Sequence, residues 1–385
     1  MNNLTSLLTA IALMAVTAQA QADFQPEAVG IVETLPSEYP DHWVMIHDVS
    51  FFHMQEGKIH VVDPLEDNLG GQFKGMMTAG FIGAYLRSEQ RNEHYVMESF
   101  HSRGARGGER TDFVTVWDPA TLSVAAEIEI PAKRITGMPK TTMNGLIGDD
   151  RFLGVYNFNP AQSVSIVDLE KRAFVGEVPT PGCGFVLPTG ERSFTSICSN
   201  GTLLTSHLDA DGNLKGTSRT EQLFDANDDP IFETAAVTGG MAYFPTFTGE
   251  ILPLDISGSE VKAQARWSLA QNDEEKTWRP GGMNLILADS AGTGYVLMHP
   301  DGGEGTHKNG GSEVWVYDLA AGTRLNRIEL ANWGVSMGTS GTGDDRLLFI
   351  TNGDFGVDVY SAPSGEFIKT LNTGAQTPFL VHGAH

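Results

Sequence analysis

The chain offers few residues that could do chemistry unaided. His299-Pro-Asp-Gly-Gly-Glu-Gly-Thr-His-Lys308 puts two imidazoles and two carboxylates on one glycine-rich stretch. That composition suits a metal, but the histidine spacing matches no zinc pattern, and the stretch reads better as a contact loop. Phe224-Asp-Ala-Asn-Asp-Asp-Pro-Ile-Phe232 has the acidity of a calcium loop without the closing Glu or flanking helices of an EF-hand. It is read as a polar turn. Ser102-Arg-Gly-Ala-Arg-Gly-Gly-Glu-Arg110 is basic and glycine-rich but lacks the phosphate-loop pattern Gly-x-x-x-x-Gly-Lys-Ser/Thr and its following helix. There is no Gly-x-Ser-x-Gly elbow and no His-Glu-x-x-His pair. The two cysteines, Cys183 and Cys198, are an even pair. In an exported chain such a pair forms a disulfide, here tying neighbouring strands. One loop stands out for shape rather than chemistry. Gly75-Met-Met-Thr-Ala-Gly-Phe-Ile-Gly-Ala84 sets Phe81 and Ile82 between glycines after a strand. Apolar side chains so placed either cap the core beneath or face a partner.

The elements that would carry these loops are strands. Phe113 to Asp118 alternates apolar and polar in the period-two manner, Asp118-Pro119 starts a turn, and Val124 to Ile130 alternates again before Pro131. Strand, Asp-turn, strand recurs at Lys58–Asp63, Ser163–Asp168, Leu203–Asp209, Glu250–Asp255, Glu313–Asp318 and Gly356–Tyr360. Copies at intervals of about 40 to 60 residues are the signature of four-stranded blades. The expectation is an all-β fold, a seven-bladed β-propeller over residues 43–385, with an N-terminal arm at 23–42. The 44 glycines fit a chain with many tight turns.

Residues 1–22 read as a signal peptide. Leu4 to Val16 is a short apolar run, and Ala18-Gln19-Ala20 and Ala20-Gln21-Ala22 are small-residue cleavage sites. Cleavage is expected after Ala20 or Ala22, although the leading segment lacks Lys and Arg. The run is too short to span a bilayer, so the mature chain is expected to be exported. A formal net charge of −23 disfavours nucleic acid and anionic membrane surfaces as partners.

With these residues in view the chain resembles the heavy subunit of the quinoprotein amine dehydrogenases, the aralkylamine and methylamine dehydrogenases. The motifs that carry the likeness are Arg110-Thr-Asp-Phe-Val-Thr-Val-Trp-Asp118, Gly182-Cys183 with Cys198, Phe224 to Phe232, Trp278-Arg-Pro-Gly-Gly282, His299-Pro-Asp-Gly and Glu304-Gly-Thr-His-Lys308. The resemblance implies a periplasmic propeller that pairs with a small disulfide-rich light chain, two heavy plus two light. It implies that the light chain carries tryptophan tryptophylquinone and the catalytic base, so that this chain has no catalytic residue and no cofactor of its own. A primary amine would leave as aldehyde and ammonia, and electrons would pass to a cupredoxin of the azurin or amicyanin type. The family's Gly-Met-x-x-x-x-Phe pattern falls on Gly75 to Phe81, which implies that Phe81, with Ile82 beside it, lines the substrate channel. Glu304–Lys308 and Asp228–Phe232 resemble the aromatic-amine branch, whereas Gly80-Phe81 resembles the methylamine branch. Two other classes remain compatible with the residues: a non-catalytic periplasmic propeller scaffold, and a self-contained metal-dependent propeller hydrolase.

Overall fold

The structure, a computed structural model, describes residues 34–384. The signal-peptide segment and most of the N-terminal arm lie outside the described residues. The fold is an all-β propeller of antiparallel sheets. Strands β1 (Val44–Asp48), β2 (Lys58–Val62) and β3 (Phe73–Thr78) form the first sheet together with the C-terminal strand Pro378–Gly383. Ile46 pairs with Val381 across that junction, so the first and last described strands close within one sheet. The next sheet runs in chain order through β4 (Ala84–Ser88), β5 (Glu93–His101), β6 (Arg110–Trp117) and β7 (Val124–Ile130).

Burial follows position within a sheet. The strand Ser163–Asp168 is buried at every residue, because both of its faces pack against other strands. Such a strand needs apolar or small residues on both sides. Outermost strands are mostly exposed: in β7 only Ile128 and Ile130 are buried, and polar residues alternate with them. The repeated Asp does what its position suggests. Asp118 accepts hydrogen bonds from the N–H groups of Ala120 and Thr121 at 3.1 and 2.8 Å. Asp168 accepts from Lys171 N–H, Asp255 from Ser257 N–H and Asp318 from Ala321 N–H. Each closes the turn into the next strand of its sheet with a bond to the local backbone.

The expected count of seven blades is corrected. Hydrogen bonding divides the described strands into six sheets, of which five have the four or five strands of a blade and the sixth has eight. The last two full repeats fall within that one sheet. Its strand Thr323–Ser340 is 18 residues long; its first part pairs with Gly311–Asp318 and its second with Leu347–Asn352. Gly334 is the hinge of this arrangement, pairing with Gly311 on one side and Asn352 on the other. Residues 35–42 are not loose: Tyr39 is buried, packs on Trp43, and donates its hydroxyl to Pro119 O at 2.7 Å.

Candidate functional site

The connections β1–β2, β3–β4 and β5–β6, the segment 131–143 and the segment 372–377 meet in one loop cluster. Phe51 N–H donates to Thr377 Oγ1 at 2.9 Å, Ile82 N–H to Met54 O at 3.4 Å, and Arg134 reaches the β3–β4 turn. Beneath it Val49, Phe379 and Leu380 form an apolar floor, with Met138 and Met283 packed on them. Strand β1 stops at Asp48 because that carboxylate is turned inward. Burial pushes its pKa upward, but it accepts from the N–H groups of Ser50, Gln376 and Thr377, which together hold the pKa below the usual carboxylate value. The chain then enters a short 3-10 segment, Phe51–Glu56, that leaves Phe51 and Phe52 exposed.

The turn between β3 and β4 is the unusual piece. Phe81 and Ile82 are consecutive left-handed residues, at φ 56° and 54°. L-residues pay roughly 1–2 kcal/mol each for that conformation, and a β-branched residue there is an outlier. The turn is closed by Gly83 N–H to Ala79 O at 3.1 Å. A side chain on Gly83 would sit 2.9–3.1 Å from the Ala79 backbone, so the closure requires glycine. Ile82 is 6% exposed and points inward, whereas Phe81 is half-buried with its ring 4.8 Å from that of His101. The two side chains therefore separate: Ile82 anchors and Phe81 faces the loop cluster.

Two buried charges hold the turn. The Arg134 guanidinium donates to three successive carbonyl oxygens, Gly80 at 3.5 Å, Phe81 at 2.9 Å and Ile82 at 3.2 Å. Its own backbone is fixed by Asp112, which accepts from its N–H at 3.1 Å, and by Arg110, which donates to its carbonyl at 2.7 Å. Arg110 and Asp112 form a two-pronged ion pair at 2.7 Å. Burial lowers the Arg134 pKa to about 10, leaving it cationic at neutral pH; Asp112 and Glu98 oppose that fall. On the other side Glu98, 1% exposed, accepts from Gly80 N–H at 2.9 Å and from the Thr115 hydroxyl at 2.7 Å. Burial pushes its carboxyl upward, while the Thr115, Gly80 and Arg134 contacts hold it back.

Sequence reasoning singled out Phe81 and Ile82 but not Arg134 or Glu98. The signal for Glu98 was a carboxylate in the otherwise apolar run Tyr95-Val-Met of β5, and for Arg134 a cation three residues past the strand-ending Pro131. The other candidates are dispersed. Cys183 and Cys198 are disulfide-bonded, directly opposite each other in register on adjacent strands. His299 bonds the Thr306 hydroxyl through Nε2 at 2.9 Å, while His307 stacks on Phe247 at 4.6 Å, so the two rings serve separate contacts. Among the described residues no group of three or more His, Cys, Asp or Glu could hold a metal ion. Trp278 and Trp315 lie 5.5 Å apart, but both are covered by the Arg327 guanidinium at about 5 Å, a packing role. A groove of about 540 Å³ lies around Ser193, His207 and Ser218 and shares no residue with the turn.

Fold and site together define a propeller that presents a built loop face with one aromatic residue held on a strained turn. The chain belongs to the methylamine dehydrogenase heavy chain family, whose profile matches residues 41–384. It is 28% identical over 320 residues to the methylamine dehydrogenase heavy chain of Paracoccus versutus, spanning 82% of this chain and 74% of that one. It is 29% identical over 348 residues to the heavy chain of Methylobacillus flagellatus, spanning 86% and 85%. As a heavy chain it is one subunit of an amine dehydrogenase, an oxidoreductase complex, and a light chain is its implied partner. Solved structures agree on fold alone. A periplasmic gluconolactonase of Pseudomonas aeruginosa is 12% identical, with a TM-score of 0.57 over 87% of this chain and 97% of that one. A dihydro-heme d1 dehydrogenase is 14% identical, with a TM-score of 0.52 over 91% and 78%. No helix among the described residues is long and apolar enough to cross a membrane.

Proposed function

We propose that this chain is the heavy subunit of a periplasmic, tryptophan tryptophylquinone-dependent dehydrogenase of primary amines, and that its Phe81 turn forms one wall of the amine channel. The observation that carries the reading is the turn itself: a half-buried aromatic ring displayed on two left-handed residues, with a buried cation and a buried carboxylate holding the backbone. Backbone strain of this kind persists where surrounding structure over-determines it, and it clusters at binding sites. The quinone, borne by the light chain, supplies the electrophilic carbonyl and the two-electron sink. Amine and water become aldehyde and ammonia, releasing two electrons and two protons, and the electrons leave singly to a cupredoxin. The heavy chain binds and orients. Phe81 covers the apolar tail of the amine, Ile82 fixes the turn in the core, and the apolar floor of Val49, Phe379 and Leu380 keeps water from beneath the loops. Export agrees with the disulfide, which persists in an oxidising compartment.

Co-expression with a light chain should give a complex of two heavy and two light chains that reduces a dye or a cupredoxin when an amine is added. The isolated heavy chain should be inactive. Amine oxidation by rigorously pure heavy chain, or failure of the two chains to associate, would overturn the reading.

A further inference from the structure

We propose that Arg134 and Glu98 are positioning residues for amine discrimination: together they lock the left-handed turn 80–83 that aims the Phe81 ring. The inference rests on the reading of Phe81 as a channel wall. Successive left-handed residues turn their carbonyls towards one side, and here the oxygens of Gly80, Phe81 and Ile82 converge on a single guanidinium. Only a planar fork can serve all three; a lysine ammonium is a point donor on a flexible stem. Glu98 takes the opposite end, binding the Gly80 N–H that the turn leaves free. Arg134 is in turn gripped at both backbone atoms by Arg110 and Asp112. A chain of four charged side chains thus runs from strands β5 and β6, through the segment after β7, to the backbone under Phe81.

The test uses the assembled complex and two readouts. Arg134→Lys should speed hydrogen exchange at the amides of Gly80, Ile82 and Gly83 by about tenfold or more, while those of β5 keep their protection. It should also shift the kcat/KM ratio of methylamine to 2-phenylethylamine by about threefold or more, in the direction set by Phe81→Ala, through KM more than kcat. Glu98→Ala should do the same, and Glu98→Gln, which keeps an acceptor for Gly80 N–H, should restore most of what Glu98→Ala loses. The Glu98 pair also serves if Arg134→Lys does not assemble. Unchanged exchange at the turn in a folded variant refutes the clamp. Faster exchange with an unmoved ratio, where Phe81→Ala does move it, refutes the positioning role. If Phe81→Ala leaves the ratio unmoved as well, the channel reading itself has failed and the positioning role falls with it.

Discussion

Truncating Phe81 to alanine separates a channel wall from a core residue. One face of the ring is taken by His101, 4.8 Å away, and Ile82 rather than Phe81 is the residue sunk in the core. A buried aromatic side chain covers about 150–250 Å². With one face occupied and the stem in the turn, about 50 Å² of ring is left for the tail of an amine. At about 25 cal/mol per Å² that contact is worth about 1.2 kcal/mol, or about eightfold in kcat/KM. Methylamine has almost no tail to lose, so the whole factor should appear in its ratio to 2-phenylethylamine. Stability should change little, because a half-buried ring falls below the roughly 3–5 kcal/mol of a core Phe→Ala change. About 1 kcal/mol would lower the melting temperature by no more than about 2–4 °C. The assay is paired: melting temperature of the complex, and kcat/KM for both amines in both proteins. A melting temperature lowered by about 5 °C or more with an unmoved ratio would refute the reasoning and return Phe81 to the core.

Three further outcomes are expected. Replacing Cys183 and Cys198 by serine opens a loop of sequence separation 15 and should cost roughly 3 kcal/mol of unfolding free energy; denaturant unfolding under reducing and non-reducing conditions reads it. Gly83→Ala forces a Cβ to 2.9 Å from the Ala79 carbonyl carbon. It should cost about 1–3 kcal/mol as overpacking and raise protease cleavage within the turn. Burial lowers the pKa of His47 and His94 to about 3 and of His382 to about 4, from 6.5. These histidines stay neutral in the folded chain while the unfolded chain takes up protons below pH 6.5. Their contribution is therefore present above pH 6.5 and is lost as pH falls towards 4 and then 3, by up to roughly 1.4 kcal/mol per histidine per pH unit. A stability profile that stays flat between pH 6.5 and 4.5 would contradict it.

What the sequence made legible is what short-range chemistry determines. Alternation marks the strands, and the Asp that ends a repeat bonds the local backbone at Asp118, Asp168, Asp255 and Asp318. The cysteine pair was legible because its two strands are neighbours in sequence. The blade count was not, since it depends on whether a strand stops. In the strand Thr323–Ser340 the chain does not stop but passes through Gly334, which pairs on both sides. Phe81 was visible as an apolar residue between glycines, but its direction was not. That is decided by Arg134, 53 residues away, and no periodicity links the two.

The same structural job is done elsewhere in this propeller by simpler means. The connection from the outer strand Ala173–Pro179 to Cys183–Thr189 is three residues long and places its positive φ, 74°, on Gly182. Glycine makes that turn without a steric penalty and without charged partners. Between β3 and β4 the left-handed positions fall instead on Phe81 and Ile82, although glycines flank them on both sides. Burying Arg134 and Glu98 adds desolvation costs that an apolar core would not incur. Stability alone therefore disfavours this design, since glycine at the left-handed positions would avoid both the steric and the desolvation cost. The excess is accounted for if the turn must present a rigid aromatic ring to something outside the chain. A glycine turn cannot carry the ring, and an unclamped Phe-Ile turn would relax away from the left-handed region and take the ring with it.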